Sequence, residues 1–405
     1  MRCGRRHERD TWPARQTVVP VTRIVQAANF VAPTSGGIRT ALEALGRGYI
    51  AAGHERVLIL PGAANSDETT PAGRRITLHA PRLPRSGGYR VVVSGRRVLR
   101  LLDQLRPERL EVSDKLTMRC LGPWARARGV PAVVVSHERL DALLAMRAAR
   151  WAGMPGRPGA MLLRCATGVA DRWNRRLAAA FDKVVCTSDW AAEEFIRVRA
   201  ANLARAPLGV DLDVFTPLRH DQRVRARLAP GGGPLLAFTG RLWPEKRPDL
   251  PIAVLAALRR QGVDAHLALA GDGPMRPALE SAARDLPVTF LGFLSSRAAL
   301  ATLLATADAV LAPGPVETFG LAALEALACG TPLVVAASGA LPELLAPGAG
   351  LAVKASADAM ATAVRELLDT DPTARRCAAR RRAEQFPWSA AVRGMLRVHG
   401  LEESL

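Results

Sequence analysis

The segment PVETFGLAALEALACGTPLVV (residues 315–335) carries the pattern that decides the fold of this 405-residue chain. Its middle part, TFGLAALEALACG, spaces apolar residues as a buried helix does. The AVLAP just before it and the TPLVV at its end are short apolar runs typical of buried strands. A strand, a helix and a strand in succession predict a βαβ unit of a doubly wound parallel sheet. Glu317 and Glu325 are the only charged residues of the segment.

The same alternation extends to both sides of this segment. Before it, strands are predicted at LLAFTG, AHLALAGDGP and VTFLGFL, and helices at PDLPIAVLAALRRQG and MRPALESAARD. In the first half of the chain, a helix is predicted at IRTALEALGRGYIAAG, and strands at TRIVQAANF (22–30), RVLILPG (56–62), AVVVS (132–136) and KVVCTS (183–188). A break rich in Pro and Gly at 206–234 separates the two series. The fold class predicted is therefore α/β, with two Rossmann-like domains.

Domain boundaries follow from these patterns. Residues 1–21 are rich in arginine and lack the apolar region of a signal peptide, so they are predicted to be a disordered basic extension. Residues 22–207 form the first predicted domain and residues 208–386 the second. Residues 387–405 begin at a proline and are predicted to be a terminal helix.

The charge of the chain is uneven. The net charge is +19; residues 1–206 carry 35 Lys or Arg against 17 Asp or Glu, whereas residues 207–405 carry 21 against 20. A basic first half favours phosphorylated ligands, anionic lipid or nucleic acid as partners. Nucleic acid is the least favoured of these, because the sequence has no RNP-like aromatic motif, zinc-ligand spacing or recognisable helix-turn-helix.

The cysteines and the apolar runs narrow the class further. Six cysteines are scattered without metal-ligand spacing, which predicts reduced thiols in a cytosolic protein and no metal site. No apolar stretch of the sequence approaches the ~20 residues needed to cross a bilayer.

The two glutamates occupy different predicted positions. Glu317 falls in the loop after a strand, at the sheet edge where ligands bind in such folds. The N–H groups of Thr318, Phe319, Gly320 and Leu321 are predicted to form the helix N-terminus, which favours a phosphate. Glu325 lies further along the helix. A charge at the helix start and a solvated helix face are the plain alternatives for the two carboxylates.

A second candidate loop is GRLWPEKRPDL (240–250), which follows a predicted strand. It brings Arg241 and Lys246 to the same edge, and both residue types bind phosphate oxygens. The chain has only four lysines among 56 basic residues, so a lysine at this position is notable. The alternative is a solvated surface loop.

In order and spacing, GRLWPEKRPD, AGDGPMRPALE, VTFLGFLS and ETFGLAALEALACGTPLVV resemble the C-terminal half of retaining GT-B glycosyltransferases of sequence family 4. The Glu317–Glu325 spacing is similar to the E-x7-E motif of that family. SGGIR, GGYR, LEVSDKLT, SHERLD and PLGVDLDVF further resemble an actinobacterial branch of GDP-mannose-dependent α-mannosyltransferases acting on phosphatidylinositol mannosides or glycosylated diacylglycerol. The resemblance covers nearly the whole chain from residue 22. It implies a cleft between two domains and a C-terminal helix that crosses back to the first.

The resemblance also implies roles on the donor side. It assigns Arg241 and Lys246 to the diphosphate of a nucleotide-sugar donor, the helix start at Phe319–Leu321 to phosphate or ribose, and Glu325 to the ribose hydroxyls. Glu317 is expected to contact hydroxyls of the transferred sugar, and His137 to lie beside that sugar. Gly36 and Gly37 are expected to approach the donor across the cleft. The segment Leu291–Leu294, which includes Phe293, is expected to present backbone groups to the base. A tight strand–helix turn is the alternative for the glycine pair.

On the acceptor side the resemblance implies binding by the first domain, with Asp114, Glu138 and Glu111 as weaker candidates. Asp114 is equally compatible with capping a helix. No metal or other cofactor is expected, because cations and amides can stabilise the leaving diphosphate. Retention is implied by the family. The sequence identifies no carboxylate nucleophile for a double displacement, and the resemblance implies attack on the same face as departure.

A basic acceptor domain suits a glycolipid acceptor in an anionic membrane. The segment GGYRVVVSGRRVLRLLDQL (87–105) interleaves apolar residues with Arg90, Arg96, Arg97 and Arg100, and is a candidate interfacial helix. An ordinary surface helix is the alternative. The expected location is cytoplasmic, at the inner face of the plasma membrane. Two other functions stay open: a UDP-sugar-dependent transferase, and a sugar-nucleotide-binding protein without transfer.

Overall fold

The computed structural model describes residues 21–31, 36–83, 88–152 and 159–401. The predicted extension 1–21 lies outside the described residues except for its last residue. Two sheets organise the chain, one of eight strands and one of six. The predicted pair of Rossmann-like α/β domains is therefore confirmed.

The first sheet has the order β3-β4-β2-β1-β5-β6-β7-β8. Every neighbouring pair is parallel except β3 with β4. The strands are β1 (Arg23–Ala27), β2 (Glu55–Gly62), β3 (Ser66–Thr70), β4 (Gly73–His79), β5 (Arg109–Val112), β6 (Ala132–Ser136), β7 (Lys183–Cys186) and β8 (Leu203–Arg205). The predicted strands at 132–136 and 183–188 are thus present, and the one at 22–30 is shorter than predicted.

Helices pack on both faces of this sheet. They are α1 (Gly37–Ala51), α2 (Gly95–Leu105), α3 (Leu121–Ala127), α4 (Leu140–Ala152), α5 (Gly159–Ala178) and α6 (Asp189–Ile196). On one face, Val98 and Leu102 of α2 and Leu177 of α5 join the core beneath the central strands. On the other, α1 packs Leu45 and Tyr49 against the sheet. Burial of these apolar faces is the main stabilising contribution of the layer.

The second sheet is parallel, with the order β11-β10-β9-β12-β13-β14. Its strands are β9 (Leu235–Thr239), β10 (His266–Ala270), β11 (Val288–Gly292), β12 (Ala309–Ala312), β13 (Leu333–Ala336) and β14 (Gly350–Val353). Its helices are α7 (Gln222–Leu228), α8 (Asp249–Arg260), α9 (Arg276–Ala282), α10 (Arg297–Thr306), α11 (Leu321–Ala328), α12 (Ala357–Leu368) and α13 (Pro372–Ala383). The order reverses at β9 and β12, a switch point of the kind where such sheets bind ligands.

The last helix, α14 (Trp388–His399), returns to the first domain, as predicted. Val392 and Met395 pack in the same cluster as Leu45 and Tyr49 of α1. The chain crosses between the domains twice, and the two crossings pair: the Val210 N–H donates to the Phe386 carbonyl at 2.8 Å.

The basic segment 87–105, which includes α2, buries apolar residues that were predicted to face a membrane. Val91, Val92, Val98 and Leu102 are buried in the core, so these apolar side chains are not available to a membrane. The strand pair β3–β4 was not predicted either. It compensates part of the basic run, because Arg74 of β4 pairs with Asp67 of β3 at 2.7 Å.

Candidate active site

The carboxyl ends of β6, β9 and β12 bring three distant segments to one cleft between the sheets. The Thr318 hydroxyl, in the loop after β12, donates to the carbonyl oxygen of His137 after β6 at 2.7 Å. The Thr187 hydroxyl, after β7, donates to the Thr318 carbonyl at 3.1 Å. A side-chain carbon built on Gly37 at the start of α1 would lie 3.9 Å from Leu321 Cδ1. The predicted residues Gly37, His137, Thr318 and Leu321 therefore meet across this cleft.

Lys246 and Glu317 form an ion pair across the switch point. Lys246 Nζ donates to Glu317 Oε1, and the two side chains keep 26% and 21% of their surface exposed. The sequence analysis assigned Lys246 to the diphosphate of the donor and Glu317 to hydroxyls of its sugar. The structure shows that each is the other's partner.

Arg241 lies at the start of the same loop as Lys246. Its guanidinium is 3.1 Å from Glu245 Oε1 and lies 5.6 Å from the ring centre of Tyr89 and 5.8 Å from that of Trp243. Tyr89 belongs to the first domain, so Arg241 is positioned from both sides of the cleft. Arginine favours such stacking on aromatic faces.

The helix after Glu317 begins later than predicted. α11 starts at Leu321, and Gly320 has a left-handed backbone with φ +92°. Phe319 turns into the core and stands edge-on to Phe386, with ring centres 6.2 Å apart. The prediction that the helix starts at Thr318 is thus wrong, because the turn at Gly320 separates Thr318 and Phe319 from the helix. The first N–H groups of α11 still have no partner within the helix, as at any helix start.

Glu325 lies on α11 within reach of two charged residues that the sequence did not indicate. Burial raises the pKa of its carboxyl to about 7; Arg297 opposes that shift and Asp211 adds to it. Arg297 and Asp211 pair with each other at 3.0 Å. These two come from the start of α10 and from the link between the domains, which local sequence patterns do not place beside Glu325.

The remaining donor-side candidates lie at the rim of the second sheet or across from it. Leu291 is in β11 and packs against the core, whereas Phe293 just beyond it is 49% exposed. An exposed phenyl ring offers a stacking surface. Gly36 precedes α1, and no atom lies within 4 Å of a side-chain carbon built on it.

His137 follows β6 with a buried and unpartnered ring nitrogen, Nε2. Burial lowers the pKa of His137 to about 4; the Lys115 ammonium lowers it further, and Glu111 opposes the shift. The ring is therefore neutral at physiological pH. A buried polar atom without a partner at a cleft is unusual, and a ligand hydroxyl would satisfy it.

The loop that carries His137 is held by a buried Lys115–Glu194 pair. Lys115 Nζ donates to Ser136 Oγ at 3.2 Å and to the Glu138 carbonyl. Glu194, fully buried, pairs with Lys115 and accepts from the Leu140 N–H at 3.0 Å. The pair therefore fixes both ends of the 136–140 segment, a role that the sequence did not reveal.

Two acceptor-side candidates are structural. Asp114 accepts from the N–H groups of Leu116 and Thr117 at 2.7 and 3.1 Å and from the Thr117 hydroxyl. Its carboxylate therefore holds the turn at residues 114–117, and because no helix begins there the capping alternative is wrong. Glu111 is buried and accepts from the Tyr49 hydroxyl at 2.9 Å, so it too is withdrawn as an acceptor contact.

Glu138 and the four arginines of the candidate interfacial segment remain at the surface. Glu138 is partly exposed beside the cleft. Arg90 and Arg97 donate to the carbonyls of Ala80 and His79, respectively, whereas Arg96 and Arg100 are exposed on α2.

In residues 21–31, 36–83, 88–152 and 159–401, no group of three or more His, Cys, Asp or Glu could hold a metal ion. None of the helices in those ranges is both long and apolar enough to span a bilayer.

Comparison with known proteins identifies two family models. Residues 36–209 match the glycosyl transferase 4-like domain, and residues 221–384 match glycosyl transferases group 1. A GDP-mannose-dependent alpha-(1-6)-phosphatidylinositol dimannoside mannosyltransferase of Mycobacterium tuberculosis is 49% identical over 93% of this chain and 96% of its own. A D-inositol 3-phosphate glycosyltransferase of Mycolicibacterium smegmatis is 36% identical over 53% of this chain and 52% of its own.

Solved structures share the fold. Sucrose-phosphate synthase from Thermosynechococcus elongatus superposes with a TM-score of 0.74 at 21% identity, over 94% of this chain and 98% of that one. A UDP-forming trehalose-phosphate synthase from Burkholderia xenovorans gives 0.72 at 15% identity, over 93% and 100%. The chain therefore belongs to the group 1 glycosyltransferases with a GT-B fold, and it is a hexosyltransferase.

Proposed function

We propose that this enzyme transfers mannose from GDP-mannose, with retention of configuration, to phosphatidylinositol dimannoside or a closely related membrane glycolipid. The observation that carries the proposal is the 49% identity, over 93% of the chain, to a relative named for that donor and acceptor. The intact set of Arg241, Lys246, Glu317 and Glu325 around one cleft supports transfer rather than sugar-nucleotide binding alone.

In this proposal the diphosphate of the donor binds Arg241 and Lys246. Cleavage of the bond between sugar and phosphate leaves negative charge on the β-phosphate, and preorganised cations stabilise that charge. When Lys246 turns to the phosphate, it releases the Glu317 carboxylate, which then accepts hydrogen bonds from hydroxyls of the sugar. Donor binding thus exchanges one ion pair for two ligand contacts.

The N-terminal N–H groups of α11 bind the phosphate from a second side, aided by the helix dipole. Glu325 accepts from the ribose hydroxyls, and Leu291 and Phe293 flank the base. Gly36 and Gly37 leave room at the start of α1 for the donor to approach the backbone. No metal is part of the proposal, because Arg241, Lys246 and the helix start supply the positive charge.

Retention is proposed to occur by attack of the acceptor hydroxyl on the face from which the diphosphate departs. Its proton passes to the departing β-phosphate. His137, neutral and with an unpartnered Nε2, contacts a hydroxyl of the donor sugar. Closure of the two domains excludes water and so limits hydrolysis. The acceptor enters from the first domain, which we place at the inner face of the plasma membrane.

Donor identity is tested by thermal stabilisation with a panel of nucleotides and sugar nucleotides. GDP and GDP-mannose are expected to raise the unfolding temperature, and UDP and UDP-glucose to leave it unchanged. Stabilisation by the uridine compounds alone contradicts the proposed donor.

Transfer is tested with GDP-mannose labelled in the sugar and phosphatidylinositol dimannoside as acceptor. Turnover is expected to vanish in Lys246→Ala and to fall steeply in Glu317→Ala. Lys354→Ala removes a lysine from outside this cleft and serves as the matched control with unchanged turnover. Donor binding without any labelled lipid product would favour the non-transferring alternative.

A further inference from the structure

Helix α5 presents a basic face that is exposed among the described residues. Met161 and Val169 are 63% and 61% exposed. The arginines of the helix are exposed with them, and the set that defines the α5 outer face is Met161, Arg164, Val169, Arg172, Arg175 and Arg176. At ~100° per residue these six positions fall within an arc of about 140°.

The opposite side of α5 is fixed in the first domain. Ala170, Asn174 and Leu177 are fully buried. They lie on the far side of the helix from the α5 outer face. The outer face is therefore exposed in the folded domain.

The charge of this face is not compensated. The only acidic residue of α5, Asp171, is engaged by Arg197 at 2.6 Å. None of Arg164, Arg172, Arg175 and Arg176 forms an ion pair with another residue in the part of the chain that the structure describes. A run of cations without local acids attracts an anionic surface.

The helix is also coupled to the catalytic cleft. The Trp173 indole N–H donates to the Lys115 carbonyl at 3.0 Å, and Asn174 donates to Glu194 at 2.9 Å. Lys115 and Glu194 hold the segment that carries His137. Hydrogen bonds therefore connect the helix that carries the α5 outer face to the segment that carries His137.

We propose that the α5 outer face docks the enzyme on an anionic lipid surface. Exposed apolar side chains interleaved with arginines suit the boundary of head groups and acyl chains, where the cations meet lipid phosphate and the apolar groups insert. A nucleic acid would use the arginines but not Met161 and Val169. The reason for the enzyme to bind a membrane rests on the proposed lipid acceptor. The binding itself is argued only from the exposed residues of the α5 outer face.

This surface replaces the segment that the sequence favoured. Around α2, Val98, Leu102 and Leu105 are buried in the core, whereas Val93 is 75% exposed, and two of the four arginines donate to backbone carbonyls. The α5 outer face combines two exposed apolar side chains with four exposed arginines, of which Arg175 donates to the Asp171 carbonyl at 3.4 Å.

The test measures co-sedimentation of the full-length enzyme with phosphatidylcholine vesicles, with and without phosphatidylinositol. Each arginine near an anionic leaflet strengthens binding roughly fivefold, so Arg164→Gln/Arg172→Gln is expected to weaken it roughly 25-fold. The matched control is Arg223→Gln/Arg227→Gln, an exposed pair on α7 of the second domain, which is expected to bind like the wild type. Arg96→Gln/Arg100→Gln makes the same charge change on α2 and is expected to have a smaller effect than the α5 pair.

A separate variant, Met161→Gln/Val169→Thr, keeps the charge and is expected to remove the part of binding that survives high salt. The proposal is overturned if the α5 pair binds like the wild type, if the α2 pair alone abolishes binding, or if the enzyme binds duplex DNA but not anionic vesicles. Thermal stabilisation by GDP is measured on each variant and is expected to be unchanged. Vesicle binding without mannose transfer would refute the proposed function and leave this surface standing.

Discussion

The hydroxyl of Thr318 joins the two domains through a 2.7 Å hydrogen bond to the carbonyl oxygen of His137. The bond spans 181 positions of sequence and lies within the catalytic cleft. Thr187 adds a second bond at 3.1 Å to the carbonyl of the same threonine. The loop that carries Glu317 is therefore also joined to the first domain by two hydrogen bonds.

Thr318→Val removes this donor without changing the shape of the side chain. One hydrogen bond contributes about 1 kcal/mol, so the unfolding free energy is expected to fall by about that amount. The domains are expected to separate, which small-angle scattering would detect as a larger radius of gyration. Thr318→Ser keeps the hydroxyl and is expected to behave like the wild type. An equal radius of gyration in all three proteins would show that this hydrogen bond does not hold the domains together.

The raised pKa of the Glu325 carboxyl is expected to make the stability of the folded state depend on pH. Its carboxyl has a pKa of about 7 in the folded state, above the ordinary value of 4.5, because burial disfavours the charge. Between those values the folded state binds more protons than the unfolded state, so stability falls as pH rises. Glu325→Gln abolishes this loss. Its unfolding temperature, relative to the wild type, is expected to be higher at pH 8 than at pH 5, and a difference constant with pH would contradict the burial argument.

His137 predicts the opposite slope at acid pH. Burial lowers its pKa to about 4, below the ordinary 6.5, so between those values the folded state binds fewer protons than the unfolded state. Stability is therefore lost as pH falls through this window. His137→Gln is expected to show a shallower decline of the unfolding temperature from pH 6.5 to pH 4.5. The decline does not disappear, because burial also lowers the pKa of His54. Identical slopes in the two proteins would exclude His137 as a contributor.

Gly320 and Gly37 are expected to respond differently to alanine. Gly320 has a left-handed backbone, and an added Cβ would lie 2.2 Å from Leu341 Cδ2. Gly320→Ala is expected to lower the unfolding free energy by about 2 kcal/mol. At Gly37 the added carbon meets only Leu321 Cδ1, at an ordinary 3.9 Å. Gly37→Ala is therefore expected to keep its stability in chemical denaturation; a similar loss in both variants would show that the turn at Gly320 is not the cause.

Lys115 and Glu194 are expected to act as positioning residues for His137. Lys115→Met leaves Glu194 buried without its partner, and breaking a buried pair costs about 3–5 kcal/mol. The double variant Lys115→Met/Glu194→Gln removes both charges and is expected to recover most of that stability. Its kcat is expected to fall at least tenfold with little change in the KM for donor, because only the 136–140 segment shifts. Normal turnover in a stable double variant would reduce the pair to a purely structural role.

Helices and strands could be predicted from the sequence where the local pattern is typical of only one type of element. The run AVVVS forms β6 at the predicted residues, because a short buried run of β-branched residues fits a parallel strand. The hairpin strand β3, SDETT, has no such pattern and pairs with β4 alone, at the edge of the sheet. Its polar sequence is typical of an edge strand and equally typical of a loop.

The site was predictable as a set of residue types but not as a set of contacts. The spacing of Glu317 and Glu325 and the lysine at 246 identified the loops, and the structure brings Lys246 and Glu317 together. Nothing local to Tyr89 indicates that it stacks on Arg241, because that contact forms only after both domains fold. The periodicity of α2 correctly showed one apolar face. It did not show whether protein or lipid covers that face, since both are apolar.

The two crossings between the domains are paired at Val210 and Phe386. Gly209 lies so close to Trp388 that an added Cβ would stand 2.6 Å from that residue's backbone nitrogen. Two chain segments joined side by side allow rotation about the line that they share more readily than twisting. We therefore expect the domains to open and close mainly about this line, which would bring Lys246 and His137 back to the same relative position when the cleft closes.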